Sequence, residues 1–157
     1  MNAVNTRLAE LGITLPAPAA PVANYVPYVI SGNLLVISGQ LCFGPDGTLA
    51  ARHKGKLGGE IFNEAGLEAA RFCAINLLAQ AKAALGGDLG RIVRCVRLGG
   101  FINAAPNFSA LPAVMNGASD LMVEVLGEKG RHARSTIGVA NLPADAAVEV
   151  EAMFEIA

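Results

Sequence analysis

Residues 148–156 read Val148-Glu149-Val150-Glu151-Ala152-Met153-Phe154-Glu155-Ile156, so apolar and polar side chains alternate along them. Alternation at a period of two predicts a β-strand, because successive side chains of a strand point to opposite faces of a sheet. One face of this strand is entirely apolar, and the other carries three carboxylates. The first face therefore belongs to a core, and the second meets water, a cleft or a partner.

The remaining segments predict which layers surround this strand. Four further strands are predicted over 26–30, 34–38, 92–102 and 136–140, and helices over 6–11, 60 or 63–85 and 112–126. The order from residue 26 onward is β-β-α-β-α-β-β, which predicts an α+β fold: a mostly antiparallel sheet with two helices packed on one face. The turn Leu142-Pro143-Ala144-Asp145 is expected to return the last strand beside the strand over 136–140 as a hairpin.

Length and composition bound the kind of protein. The 157 residues are 53% hydrophobic and 16% charged, with a net charge of -1, which excludes a disordered chain and disfavours generic nucleic-acid binding. Three widely spaced cysteines fit a reducing cytoplasm, and no apolar run is long enough to span a membrane. Residues 1–21 are expected to form an N-terminal extension with a Pro/Ala connector, and residues 22–157 the single functional domain.

The familiar sequence signatures of metal, phosphate and nucleophile sites are absent from the sequence. His53 is expected in a solvated loop that covers 50–59, and His132 at the edge of a strand. Neither histidine has a second ligand at a useful spacing, so no metal site is expected.

Arg134 and Glu149 are the candidates for chemistry that remain. A guanidinium binds a carboxylate through two parallel hydrogen bonds, and a carboxylate can orient or deprotonate a water molecule. On adjacent strands the two residues could divide the work of a hydrolysis. The alternative is an ordinary cross-strand ion pair, which contributes little to stability when it is exposed.

Two stretches carry a resemblance to a known family. Residues 32–40 (Gly-Asn-Leu-Leu-Val-Ile-Ser-Gly-Gln), and residues 134–143 together with 148–152, are similar to the early strand and the C-terminal signature of the Rid family. These reactive intermediate deaminases are also called YjgF or endoribonuclease L-PSP proteins. The match covers about residues 22–157, and the N-terminal extension and longer loops indicate a longer branch of the family.

The resemblance implies a chorismate-mutase-like fold assembled as a homotrimer, with sites in clefts between subunits. It implies hydrolysis of enamines and imines such as 2-aminoacrylate to a 2-keto acid and ammonia, without a metal or organic cofactor. By the same resemblance, Arg134 binds the substrate carboxylate, Glu149 activates water, Tyr25 closes the pocket, and Ser38 and Gly39 form its floor. From position alone, Tyr25 could equally pack beside the connector, and Ser38-Gly39 could be only a strand end.

Further residues are expected to line the same pocket, with two departures from the family pattern. Ser135 and Thr136 follow the arginine, and Thr136 stands where many members have cysteine. Pro112 occupies the place of a family asparagine, and Asn116 is the candidate to replace it. The alternative functions are binding of a keto acid or similar metabolite without catalysis and, more remotely, a ribonuclease or translation inhibitor. The acidic balance and the 5% aromatic content argue against the last.

Overall fold

A computed structural model describes residues 2–157 of the chain and confirms the α+β order. The elements are α1 (Ala3–Glu10), β1 (Tyr28–Ser31), β2 (Leu34–Leu41), α2 (Asn63–Ala84), β3 (Ile92–Asn103), α3 (Leu111–Leu126), β4 (Ala133–Val139) and β5 (Val148–Ile156). Short 3-10 turns cover Ala51–His53, Leu89–Arg91, Gly127–Gly130 and Pro143–Asp145. Helix α1 starts earlier than predicted, because the Asn2 side chain accepts a hydrogen bond from the Asn5 backbone N–H and caps the helix.

The strands form one sheet in the order β1-β2-β5-β3-β4, in which only the β3–β4 pair is parallel. The predicted hairpin between β4 and β5 is therefore wrong, since β3 lies between them. The connection over residues 140–147 steps across the end of β3, where the Asn103 backbone N–H donates to the Ala147 carbonyl. Positive φ angles of 56° at both Ala144 and Asp145 turn the chain there.

Helices α2 and α3 cover one face of the sheet, as predicted. The last strand buries its apolar side chains against them in strict alternation. Helix α2 turns its small residues inward, and a Cβ added at Gly66 would lie 2.7 Å from the Leu57 side chain. That clearance shows how closely the helix approaches the chain beneath it. Helix α1 packs on α3 and buries Leu8 in the same core.

The opposite face of the sheet lacks a covering layer within residues 2–157. It exposes apolar side chains such as Val29, Val36 and Ile137, together with an Arg97–Glu151 ion pair at 3.5 Å. An exposed apolar face of this kind marks a surface suited to a partner. None of the helices described over residues 2–157 combines the length and apolar character needed to cross a membrane.

Residues 50–59 form a partly exposed loop with one 3-10 turn, but the prediction that His53 is solvated is wrong. His53 is fully buried, and its ring contacts Phe72 edge-on with centroids 5.4 Å apart. The His53 carbonyl accepts from the Ala147 backbone N–H, which fastens the segment to the chain just before β5. Leu57, in the same segment, is also fully buried. The polar composition of this stretch did not indicate that His53 and Leu57 are buried, because tertiary packing alone buries them.

Candidate functional site

Arg134 lies on β4, and its side chain reaches across to α3. Its Nη1 donates to the Ser119 hydroxyl at 3.0 Å, and its Nη2 donates to the Pro112 carbonyl at 3.3 Å. Arg134 pairs in register with the buried Leu98 of β3, which places the arginine on the helix-covered side of the sheet. A guanidinium has five N–H donors. The two bonds to α3 therefore leave three donors for a ligand.

The surroundings of Arg134 include two other predicted residues. Asn116 follows Pro112 by four positions and precedes Ser119 by three, so helical spacing places all three on one stripe of α3. Thr136 is two positions beyond Arg134 on β4 and shares its face. The Thr136 hydroxyl is buried and lacks a hydrogen-bond partner among the described residues. A buried unpaired hydroxyl is uncommon and suits a group that a ligand would satisfy. We call Arg134, Thr136 and Asn116 the arginine group.

Glu149 lies on β5 and is held against a bulge in β2. The pairing moves from Ile37 opposite Ala152 to Gln40 opposite Val150, so β2 carries one extra residue at Ser38 and Gly39. A Cβ added at Gly39 would lie only 2.1 Å from Glu149 Oε1. Glycine is thus the residue that lets the carboxylate lie directly on the strand. Bulges often redirect chain or side chain beside functional sites.

The environment of Glu149 changes its acidity. Burial raises the pKa of the Glu149 carboxyl, and the neighbouring Glu151 carboxylate raises it further. Both effects disfavour the charged form. A carboxyl with a raised pKa holds and returns a proton closer to neutral pH than an exposed one, which is the property a general base or acid needs.

Ser38 and Tyr25 are linked to Glu149 through Gly39, which follows Ser38 in the β2 bulge and shares a cavity with Tyr25. The Ser38 hydroxyl donates to the Val26 carbonyl at 2.8 Å, and its backbone N–H donates to the Pro27 carbonyl at 2.9 Å. Tyr25 is half exposed and lines a cavity of about 100 Å³ together with Gly39 and the end of the Pro/Ala connector. We call Glu149, Gly39, Ser38 and Tyr25 the glutamate group.

The structure keeps the two groups apart within one chain. Arg134 faces the helices, whereas Glu149 alternates with buried Val148 and Val150 and faces the uncovered side. β3 lies between their strands, with Arg134 opposite Leu98 and Glu149 opposite Phe101, three residues further along β3. Standard sheet spacings then place the Cα atoms of Arg134 and Glu149 roughly 14 Å apart. Ser135 points away from Arg134, to the uncovered side. One small substrate cannot touch both groups of the same chain.

Two residues that the sequence did not assign to the site lie beside Arg134: Ser119 contacts it directly, and His132 contacts Ser119. The Ser119 hydroxyl lies 2.8 Å from His132 Nε2, and His132 Nδ1 lies 2.6 Å from the Gly130 carbonyl oxygen. His132 does precede a strand, as predicted, but its ring is engaged with α3. No spacing rule joins Ser119 to Arg134, because tertiary packing alone brings them together. Over residues 2–157, no cluster of three potential metal ligands occurs.

Comparison with known proteins identifies the family. The family model described as "YjgF/chorismate_mutase-like, putative endoribonuclease" matches residues 5–155. The protein TCP17 of Trypanosoma cruzi is 49% identical over 98% of this chain and 94% of its own length. Atu1372, a protein with unknown function from Agrobacterium tumefaciens, is 48% identical to this chain; its crystal structure matches 99% of this chain and 93% of its own, with a TM-score of 0.91. RidA from an Antarctic Psychrobacter is 29% identical over 91% of this chain and 96% of its own, with a TM-score of 0.60. This chain therefore belongs to the YjgF/Rid family with a chorismate-mutase-like fold.

Proposed function

We propose that the protein is a cofactor-independent hydrolase that converts enamine and imine intermediates derived from amino acids, such as 2-aminoacrylate, to 2-keto acids and ammonia. One observation carries the proposal. The arginine group and the glutamate group lie on opposite faces of the sheet in a single chain. The two groups supply complementary parts of one reaction and become neighbours only when two copies associate.

Arg134 acts as the substrate anchor in this proposal. Its guanidinium is held at two nitrogens by α3, which leaves the remaining N–H donors ordered before a ligand arrives. An ordered, planar fork favours a substrate that carries a carboxylate. The unpaired Thr136 hydroxyl, on the same face, would then bond to the bound molecule.

Glu149 handles the proton of the attacking water. 2-Aminoacrylate first gains a proton at its methylene carbon and loses one from its nitrogen, which gives the imine tautomer. The water oxygen then forms a bond to the imine carbon while the Glu149 carboxylate accepts a proton from the water, and that proton passes to the nitrogen. In the resulting carbinolamine the hydroxyl proton passes through the Glu149 carboxylate to the amino nitrogen, and the C–N bond breaks to release ammonia and leave the 2-keto acid. The imine carbon is already electrophilic, so a positioned water and a base of raised pKa are sufficient.

A homotrimer supplies the second copy. β4 is an edge strand with an unpaired side, and the uncovered sheet face exposes Ile137 on β4 itself and Val36 on β2, toward the other edge. An unpaired strand edge and an exposed apolar face are surfaces on which another copy of the chain can pair or pack. We place each site where the arginine group of one subunit meets the glutamate group of the next. Three free, buried cysteines suit the cytoplasmic location that the proposal assumes.

The test measures 2-keto acid release from freshly generated 2-aminoacrylate. Wild type should accelerate release and Arg134→Ala should not, while Arg131→Ala, an exposed arginine paired only locally with Glu128, should behave as wild type. If wild type binds a 2-keto acid in calorimetry but releases no ammonia, the protein is a metabolite-binding module instead. Equal activity in Arg134→Ala and wild type would remove Arg134 from the site.

A further inference from the structure

Ser119 occupies the junction between Arg134 and a histidine that the proposed reaction does not use. Its Oγ lies 3.0 Å from Arg134 Nη1 and 2.8 Å from His132 Nε2. Ser119 belongs to α3, and His132 immediately precedes β4. The three side chains therefore join the helix layer to the edge of the sheet at the position of the substrate anchor.

The partners determine the direction of each hydrogen bond. His132 Nδ1 faces the Gly130 carbonyl at 2.6 Å, and a carbonyl only accepts, so Nδ1 carries the hydrogen. In the neutral ring Nε2 is then the acceptor. A guanidinium only donates, so the Ser119 oxygen accepts from Arg134 while its own hydrogen goes to His132. The result is an ordered relay from Arg134 through Ser119 and His132 to Gly130.

This relay fixes the guanidinium in a way that the helix backbone alone does not. The Pro112 carbonyl holds Nη2 at 3.3 Å, a longer contact than that of Ser119 with Nη1. Two fixed nitrogens define the plane of the guanidinium, whereas one leaves it free to rotate. Bidentate binding of a carboxylate depends on that plane.

We propose that Ser119 and His132 are positioning residues that orient Arg134 for carboxylate binding, an inference that rests on the proposed function. Neither residue touches the reacting atoms, and Glu149 is on the other face of the sheet. Loss of the relay should therefore weaken substrate binding and leave the chemical step intact. A hydrogen bond to a charged group contributes strongly to its orientation, so loss of the bond to Arg134 should raise KM about tenfold. The value of kcat should change less than about twofold, because the chemical step is unaffected.

The experiment compares Ser119→Ala with Ser119→Thr, and His132→Phe with His132→Gln, in steady-state turnover of 2-aminoacrylate. The first variant of each pair removes the relay and should raise KM about tenfold. Ser119→Thr keeps a hydroxyl and His132→Gln keeps an amide oxygen that can accept, so both variants should recover most of the wild-type affinity for substrate. Asp120→Ala, at the next exposed position of α3, is the matched control and should keep the wild-type KM.

Several results would overturn the inference. An unchanged KM in Ser119→Ala, or a fall in kcat with no change in KM, would show that the relay does not orient the anchor, while the proposed function would stand. If wild type releases no keto acid, calorimetry with pyruvate replaces turnover, and Ser119→Ala should still bind about tenfold more weakly. Equal pyruvate affinity of wild type and Ser119→Ala, or no binding by wild type, would overturn the inference in that case.

Discussion

The contact between Gly39 and Glu149 makes the substitution Gly39→Ala informative. The added methyl group would lie 2.1 Å from Glu149 Oε1 and 2.9 Å from Glu149 Cδ. Ordinary van der Waals contact begins at about 3.4 Å, so the Glu149 carboxylate must move by about 1.3 Å to make room for the methyl group. The displaced atoms are at the end of a flexible side chain, so the fold should survive. A catalytic group misplaced by about 1 Å can cost about 100-fold in rate, or about 2.7 kcal/mol of barrier.

We therefore expect Gly39→Ala to lower kcat for 2-aminoacrylate hydrolysis about 100-fold with an unchanged unfolding temperature. The matched control is Gly44→Ala, because a Cβ there meets nothing closer than 3.4 Å. The assay is single-turnover release of the 2-keto acid, which isolates the chemical step from product release. A Gly39→Ala variant with kcat within about threefold of wild type would refute the reasoning that the position of Glu149 controls catalysis.

Three further predictions test charge at other positions. Arg134→Lys should lose nearly as much 2-aminoacrylate turnover as Arg134→Ala, because a lysine cannot offer a planar fork; wild-type turnover in Arg134→Lys would contradict bidentate binding. Burial raises the pKa of Glu149, so the folded chain holds its proton more tightly than the unfolded chain, and stability falls as pH rises from about 4 through the folded pKa. Glu149→Gln should therefore unfold at a higher temperature than wild type at about pH 8 and at a similar temperature at about pH 4. Burial lowers the pKa of His53 in the folded chain. The contribution of neutral His53 to stability is therefore fully present above the ordinary histidine pKa of about 6.5, and it is lost as pH falls through the lower pKa of the folded chain. His53→Leu should flatten the fall in unfolding temperature between about pH 7.5 and 5.5, and an unchanged slope would assign that fall to other groups.

Patterns with a fixed period allowed the sequence to predict most of the fold. The alternation over residues 148–156 identified the buried face of β5, and small residues such as Gly66 and Cys73 identified the inner face of α2. Periodicity reports which side of an element is buried. It does not report which strands are neighbours, and so the hairpin between β4 and β5 was wrong. The connection over residues 140–147 is long enough either to return directly or to cross β3, and packing at Asn103 and Ala147 decides between them.

Less of the candidate site than of the fold could be predicted from the sequence. Arg134 and Glu149 were found because they stand in a recognisable stretch. Their separation onto opposite faces of the sheet depends on strand order, which local sequence does not encode. The contacts of Ser119 and His132 with Arg134 were not predicted, because these residues lie on different elements. The burial of His53 was not predicted, because its segment is polar and rich in glycine. Long-range packing is what local propensities cannot report.

Complementation between two inactive variants tests the central claim most directly. Arg134→Ala and Glu149→Gln should each be inactive alone. When they are unfolded together in equal amounts and refolded, a site is complete only if its arginine comes from one variant and its glutamate from the other. Random mixing in a ring of subunits should then restore about a quarter of the wild-type activity. No recovery from a mixture that forms mixed oligomers would contradict a site shared between two copies of the chain.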